Sequence, residues 1–349
     1  MFDKGQSQNV GDGSNVIQGG NDVNIHMGLS YSDARSIALD VAKSTFHDLA
    51  GEAKILMSDR VEEITEAVIS RLSREYSPGL DKAKDPDFQF ALLSVQREYG
   101  RCGDQDLGKL LVDLLVDRSK EDTRSLKQIV LNESLQIAPK LTQDQISALS
   151  LIFLLRNTIN NTIVDYNTFG AYLDGHIQGF IDVLPTSNQT YQHLEFTGCG
   201  TRGALTTSLH GQLQHDYPGL FHRGYTDEEM SGLHLSQGLK NTCFVPCLAD
   251  PSKKQFAFSK LQGLTSYLES IATPKDEVLR AVDLYKNNII SDDAVKQICI
   301  DIRPYMSELF NKFETSDASA VHLTSVGIAI AHANLKSLLP RIPDLSVWI

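Results

Sequence analysis

Residues 32–76 read SDARSIALDVAKSTFHDLAGEAKILMSDRVEEITEAVISRLSREY, and their apolar spacing decides the fold class. Ile37, Val41, Leu49, Ala53 and Leu56 form a stripe that Val61, Ile64, Val68 and Leu72 continue in steps of three and four. Such steps bring side chains to one face of an α-helix. Ser30 or Ser32 can cap the start, Asp33 puts negative charge in the first turn, and Pro78-Gly79 stops the pattern. Unbroken, a helix of about 45 residues would reach about 70 Å, longer than a compact domain needs. Gly51 is its weak point, where a bend or break is cheapest. The chain is therefore predicted to be mainly α, with a long stalk helix over 29–78.

Upstream of that helix the character changes. Residues 7–25 read SQNVGDGSNVIQGGNDVNI, with Asn9-Val10, Asn15-Val16 and Asp22-Val23 at nearly even spacing. Short β-branched units separated by Gly and Asn predict a small β head over 1–28. One copy is too small to bury Val10, Val16, Val23 and Ile25, so these are the candidate oligomerisation residues, packing against copies from other chains. A disordered polar leader is the alternative.

Downstream, helical stretches are predicted at 88–99, 106–116, 125–135 and 142–156, the last opened by Thr142 and Gln145 at capping-box spacing. They make a helical domain over 79–160. Between 161 and 260 short apolar pieces mix with Gly, His and Asn, and a helix capped by Thr226 with Glu229 is expected there, so this is a mixed α/β segment. Helices return over 261–349: Pro274 opens one, Ser291 the next, and 323–335 is the last.

At 349 residues, 41% hydrophobic and 22% charged, the chain falls among ordinary globular proteins and has room for two or three domains. Its net charge of -12 repels phosphate backbones, and its densest basic stretch is only Lys253-Lys254, so nucleic acid is not an expected partner. The apolar runs 146–155 and 326–333 are far shorter than a membrane helix, so no membrane partner is expected either. Five cysteines, an odd number without an apolar leader, point to reduced thiols in a cytoplasmic setting.

Four patterns suggest chemistry. Gly198, Gly200 and Gly203 spell G-x-G-x-x-G, after a stretch (191–196) that reads as a strand and before one (204–213) that reads as a short helix. No acidic strand end follows about 20 positions on, and the neighbourhood is helical, so a tight glycine turn explains them better. Residues 103–110 nearly spell a P-loop, but Leu110 stands where the Mg²⁺-holding hydroxyl belongs and Asp104 and Asp106 would repel phosphate; this reads as a helix–helix connection. Cys243 and Cys247, with His215 and His222, are the candidate zinc ligands, although irregular His spacing favours ordinary turn and core roles. His215 beside Asp216 also has the form of a base with its orienting carboxylate. No cofactor is expected, zinc being the one considered, and no catalytic residue is assigned.

The head 7–25, followed at once by GLSYSDARSIALDV (28–41), resembles a prefix on a set of bacterial proteins associated with anti-phage defence. CGDQDLGKLLVDLLVDRSKED (102–122) and LQIAPKLTQDQISALSLIF (135–153) are similar to the helical core of abortive-infection proteins of the Abi-alpha type. LTSVGIAIAHANL (323–335) resembles an ending shared by several such helical families, which leaves a winged-helix-like form open for 261–349. The resemblance implies a component of a defence system, an oligomeric scaffold, sensor or partner-binding module, and carries no catalytic residue over to this chain. Its partners would be copies of itself and a phage or host protein. A metal- or nucleotide-dependent enzyme with its site in 161–260 is the alternative.

Overall fold

In the computed structural model, which describes residues 28–45, 51–203, 208–339 and 341–349, side-chain caps start most of the larger helices. After α1 (Tyr31–Thr45) and α2 (Gly51–Glu75), the Asp85 carboxylate accepts the amide of Asp87 at 2.8 Å and opens α3 (Pro86–Cys102). Asp104 does the same for α4 (Gln105–Ser119), and Ser125 for α5 (Leu126–Ile137). Thr142 and Gln145 form the expected capping box of α6 (Gln143–Arg156). Each cap satisfies amides that a helix start leaves without partners. The near-P-loop at 103–110 is indeed a helix–helix connection: Gly103 ends α3 at φ 66° and Asp104 begins α4.

The expected 70 Å stalk is not one rod. Arg35 of α1 pairs with Glu62 and Glu66 of α2, and Ala42 packs with Met57 and Val61, so the two helices run antiparallel. Gly51 begins α2 at φ 60°, a left-handed conformation that glycine adopts without steric cost. The stripe itself is as read: Val61, Ile64, Val68 and Leu72 are all buried. Residues 1–27, with Val10, Val16, Val23 and Ile25, lie outside the described residues.

Beyond α6 come α7 (Tyr166–Tyr172), a π turn (Leu173–Ile177) and α8 (Gln178–Ile181). They are followed by α9 (Asn188–Phe196), β1 (Gly200–Arg202), α10 (Leu209–Asp216), α11 (Asp227–Gly232), α12 (Gln237–Thr242), β2 (Phe244–Pro246) and β3 (Lys254–Phe256). The chain continues through α13 (Leu261–Ser270), α14 (Lys275–Asn287), α15 (Asp292–Ile302), α16 (Met306–Thr315), β4 (Val321–Leu323) and α17 (Ser325–Leu338). The stretch 191–196, expected as a strand, is helical because Tyr191 and Leu194, three apart, both reach the core. The Thr226–Glu229 capping box is present at α11. Leu323 belongs to β4 rather than to the final helix, and β4 pairs antiparallel with β1 across the chain: Gly200 opposes Leu323 and Arg202 opposes Val321. Strands β2 and β3 form a second antiparallel pair.

One apolar core runs from Ala34 to Leu345, and a smaller cluster around Tyr225, Phe244, Phe256 and Tyr285 packs beside β2–β3, α13 and α14. The centre of the large core is α6, buried along 145–155, as befits a helix apolar on every side. Helix α17 lies on α6 and also touches α4 and α5, so the chain's final helix fills the middle of its first helical layer. Its fit is close at Gly327, where a Cβ would stand 1.9 Å from the Cys199 carbonyl oxygen. Charges reinforce the docking: Lys336 Nζ meets the buried Asp117 carboxylate at 2.8 Å, and Lys120 shares that carboxylate. No helix among the described residues is long and apolar enough to cross a membrane.

The Gly327 contact is with backbone, which cannot swing aside as a side chain does. Gly327→Ala should therefore cost about 3 kcal/mol, in the range of core overpacking. Gly179→Ala, where nothing lies within 4 Å of the added methyl, should leave thermal stability unchanged or slightly higher. Melting of the two variants checks this; equal melting would refute the packing. A double Val61→Asp, Val68→Asp variant should melt well below the parent, because each carboxylate would be buried without a partner. Scanning calorimetry reads it.

Candidate functional site

Helix α6 ends at Arg156, whose guanidinium donates to the Val321 carbonyl at 2.8 Å and so ties the helix end to β4. The chain then enters a polar turn, Asn157-Thr158-Ile159-Asn160-Asn161. Hydrogen bonds from three distant elements hold this turn. Trp348 Nε1 donates to the Asn157 carbonyl at 2.8 Å, the Asn160 amide donates to Tyr217 Oη at 2.9 Å, and Lys260 Nζ donates to Asn161 Oδ1 at 2.5 Å. Asn160 Oδ1 accepts from both the amide and hydroxyl of Thr162, fixing the turn internally.

A cleft of about 530 Å³ opens between this turn, Tyr172 and His176, and the segment 339–348. Its volume lies within the usual range for small-molecule sites. The π turn shapes one wall. Its wider winding, with the Gln178 amide reaching the Leu173 carbonyl, separates Tyr172 and His176 from the regular helical register. Tyr172 stacks on His176, ring centroids 4.9 Å apart, while Leu173 and Ile177 anchor the turn in the core. On the outer side Arg303 Nε and Nη2 each donate to the Asp174 carboxylate at 2.6 Å, and Tyr305 Oη donates at 2.7 Å. This clasp holds Asp174 below the usual carboxylate range through the hydrogen bonds from Arg303 and then Tyr305. Trp348 also lines the cleft, its ring edge-on to Phe153 at 4.9 Å.

Three polar groups at the cleft lack partners among the described residues: the Asn157 side-chain amide, the exposed Arg341 guanidinium and His176 Nδ1, the last of which is buried. Among the described residues no carboxylate lines the cleft. Burial raises the Tyr172 hydroxyl pKa, keeping it protonated as a donor. Lys260 connects this cleft to a second hollow of about 430 Å³ beyond Asn161; burial lowers its pKa, and Asp216 opposes that shift.

The residues singled out in the sequence sit elsewhere. Gly198 stands at φ 75° just past α9, with the Gly198 amide on the Glu195 carbonyl and the Cys199 amide on the Leu194 carbonyl: a helix-ending Schellman turn. Gly200 lies in β1, where a Cβ would come within 2.9 Å of Val321, and the Gly203 amide donates to the Ala320 carbonyl. Their surroundings are one antiparallel pair, not a parallel nucleotide-binding sheet. His215 Nδ1 does bond Asp216 at 3.1 Å, with its side chain 83% exposed. Cys243 lies in the smaller cluster; Cys247 Sγ sits 3.5 Å from the His222 carbonyl. Among the described residues no three His, Cys, Asp or Glu side chains are grouped to hold a metal ion. The cleft escaped the sequence reading because Asn157 and Trp348 are separated by 191 positions. The only local signal was the amide-rich run at 157–161.

His222 is wholly buried, edge-on to Tyr285 at 4.5 Å, with both ring nitrogens unpartnered. Burial lowers its pKa from 6.5 to about 4. The folded protein thus resists protonation there while the unfolded chain accepts it. The full stability from a neutral His222 is present above pH 6.5 and is lost as pH falls to about 4, where the loss levels off. The loss should reach about 3 kcal/mol at most. His222→Phe should flatten that part of the stability–pH curve, read by urea unfolding between pH 7 and 4. An unchanged slope would show that other groups govern it.

Residues 28–349 match a protein-family model whose description reads “:-like”. No curated protein and no solved structure matches the chain.

Proposed function

This chain belongs to the family which that model defines over residues 28–349, and we propose that it is a ligand-binding sensor in a bacterial anti-phage defence system. In this reading it works in the cytoplasm as a homo-oligomer joined through residues 1–28. It recognises a small molecule in the Asn157–Trp348 cleft and passes the signal to a phage or host protein partner. One observation carries the sensing role: three unpartnered polar groups and aromatic walls converge on a cleft that no carboxylate among the described residues lines. The defence setting is supported by the resemblance of the head at 7–25 and of the stretches 102–122 and 135–153 to defence-associated and abortive-infection proteins. A hydrolytic or nucleotide-dependent enzyme with its site in 161–260 is the second reading, favoured by the His215–Asp216 hydrogen bond.

The test is a phage-challenge assay on cells carrying the full chain. Arg341→Glu and Asn157→Asp, each placing a carboxylate in the cleft, should abolish protection while melting and light scattering stay as in the parent. Full protection with both variants would overturn the sensing role. Removing residues 1–28 should lower the oligomeric order seen in light scattering; a parent that is already monomeric at micromolar concentration would refute assembly through the head.

A further inference from the structure

The proposed sensing role leaves the ligand open, and the chemistry of the cleft narrows it. Trp348, Tyr172 and His176 all line the hollow and offer it aromatic surface, which suits a planar ring. Asn157 supplies a free carboxamide, one acceptor and two donors in a plane. That group matches the amino-and-ring-nitrogen edge of adenine with two parallel hydrogen bonds. Arg341 supplies a free guanidinium whose fork matches two phosphate oxygens. The absence of any lining carboxylate among the described residues leaves a negative ligand unrepelled, although the chain as a whole carries a charge of -12. A cleft of about 530 Å³ accommodates one base, one sugar and one phosphate.

We infer that the cleft binds an adenine mononucleotide, the base held against that aromatic surface and read by Asn157, the phosphate held by Arg341. The inference rests on the cleft being a sensing site but makes a separate claim about chemistry. No bond is made or broken; the ligand is bound as it arrives.

The experiment is titration calorimetry on the full chain with AMP, adenosine, GMP and inorganic phosphate as probes. AMP should saturate at one site per chain. Adenosine, lacking the phosphate, and GMP, presenting an acceptor where adenine has its amino group, should each bind about tenfold more weakly. Inorganic phosphate alone should show no saturation. Arg341→Ala should weaken AMP about tenfold and leave adenosine unchanged, because only the phosphate contact is lost. Asn157→Leu should bring AMP and GMP to equal affinity. The inference is overturned if AMP fails to saturate at millimolar concentration, if adenosine binds as well as AMP, or if Arg341→Ala changes nothing. The two proposals fail separately. Cleft variants that lose phage protection in a chain that binds no AMP leave the sensing role standing and remove the nucleotide. AMP binding that Arg341→Ala weakens, alongside undiminished protection, does the reverse.

Discussion

The architecture depends on one close approach, that of α17 to the turn before β1. With no side chain at Gly327, the helix backbone lies against the Cys199 carbonyl, which also accepts the Thr324 amide at 3.1 Å. Thr324 is the residue that caps α17, so the hydrogen bond and the close contact fix the entry of the helix together. From that entry α17 crosses α6 and reaches α4, where Lys336 finds the buried Asp117. The segment 339–348 leaves from the far end of α17 and closes the cleft. A displacement at Gly327 would propagate through a densely packed interior to the Trp348 wall, since such interiors deform little.

Buried charge on α4 is the second constraint. Arg118, among the most buried side chains, lies over the Phe88 ring at 5.8 Å and pairs with Asp87. Asp113 and Asp117, one turn apart, respond in opposite directions. Burial raises the Asp113 pKa, and Arg71, which Glu75 also engages, does not offset it. Burial acts on Asp117 too, but Lys336 and Lys120 together outweigh it and lower its pKa. Pairs of this kind contribute little net stability over apolar packing, yet breaking one strands a charge. They specify which helix may dock where, and α17 presents a lysine at the position α4 requires.

Much of the helical layer is legible in the sequence because its signals are local. Thr142 with Gln145, Thr226 with Glu229, and the stripe Val61–Ile64–Val68–Leu72 all act within a few residues of themselves. The reversal between α1 and α2 was visible only as Gly51, since periodicity cannot tell a continued helix from one that folds back. The error at 191–196 has the same origin: six residues are too few to separate a strand from a helix whose partner is remote. The cleft lay beyond local reading altogether. Its walls come from the end of α6, a π turn and the 339–348 segment, and no property of Arg341 or Trp348 in the sequence announces their neighbours.

The Trp348–Asn157 hydrogen bond has a consequence for folding order. A bond spanning 191 positions is formed by chain ends of a long loop, and the entropy of closing that loop must be met before the contact contributes anything. Docking of α17 on α6 already closes most of that loop, so what remains for the cleft's outer wall is the short stretch after α17. Occupation from Asn157 across to Arg341 would act as a clasp on that wall, shifting a local equilibrium by mass action. In the proposed reading, ligand concentration would then set how firmly residues 341–349 hold to the end of α6.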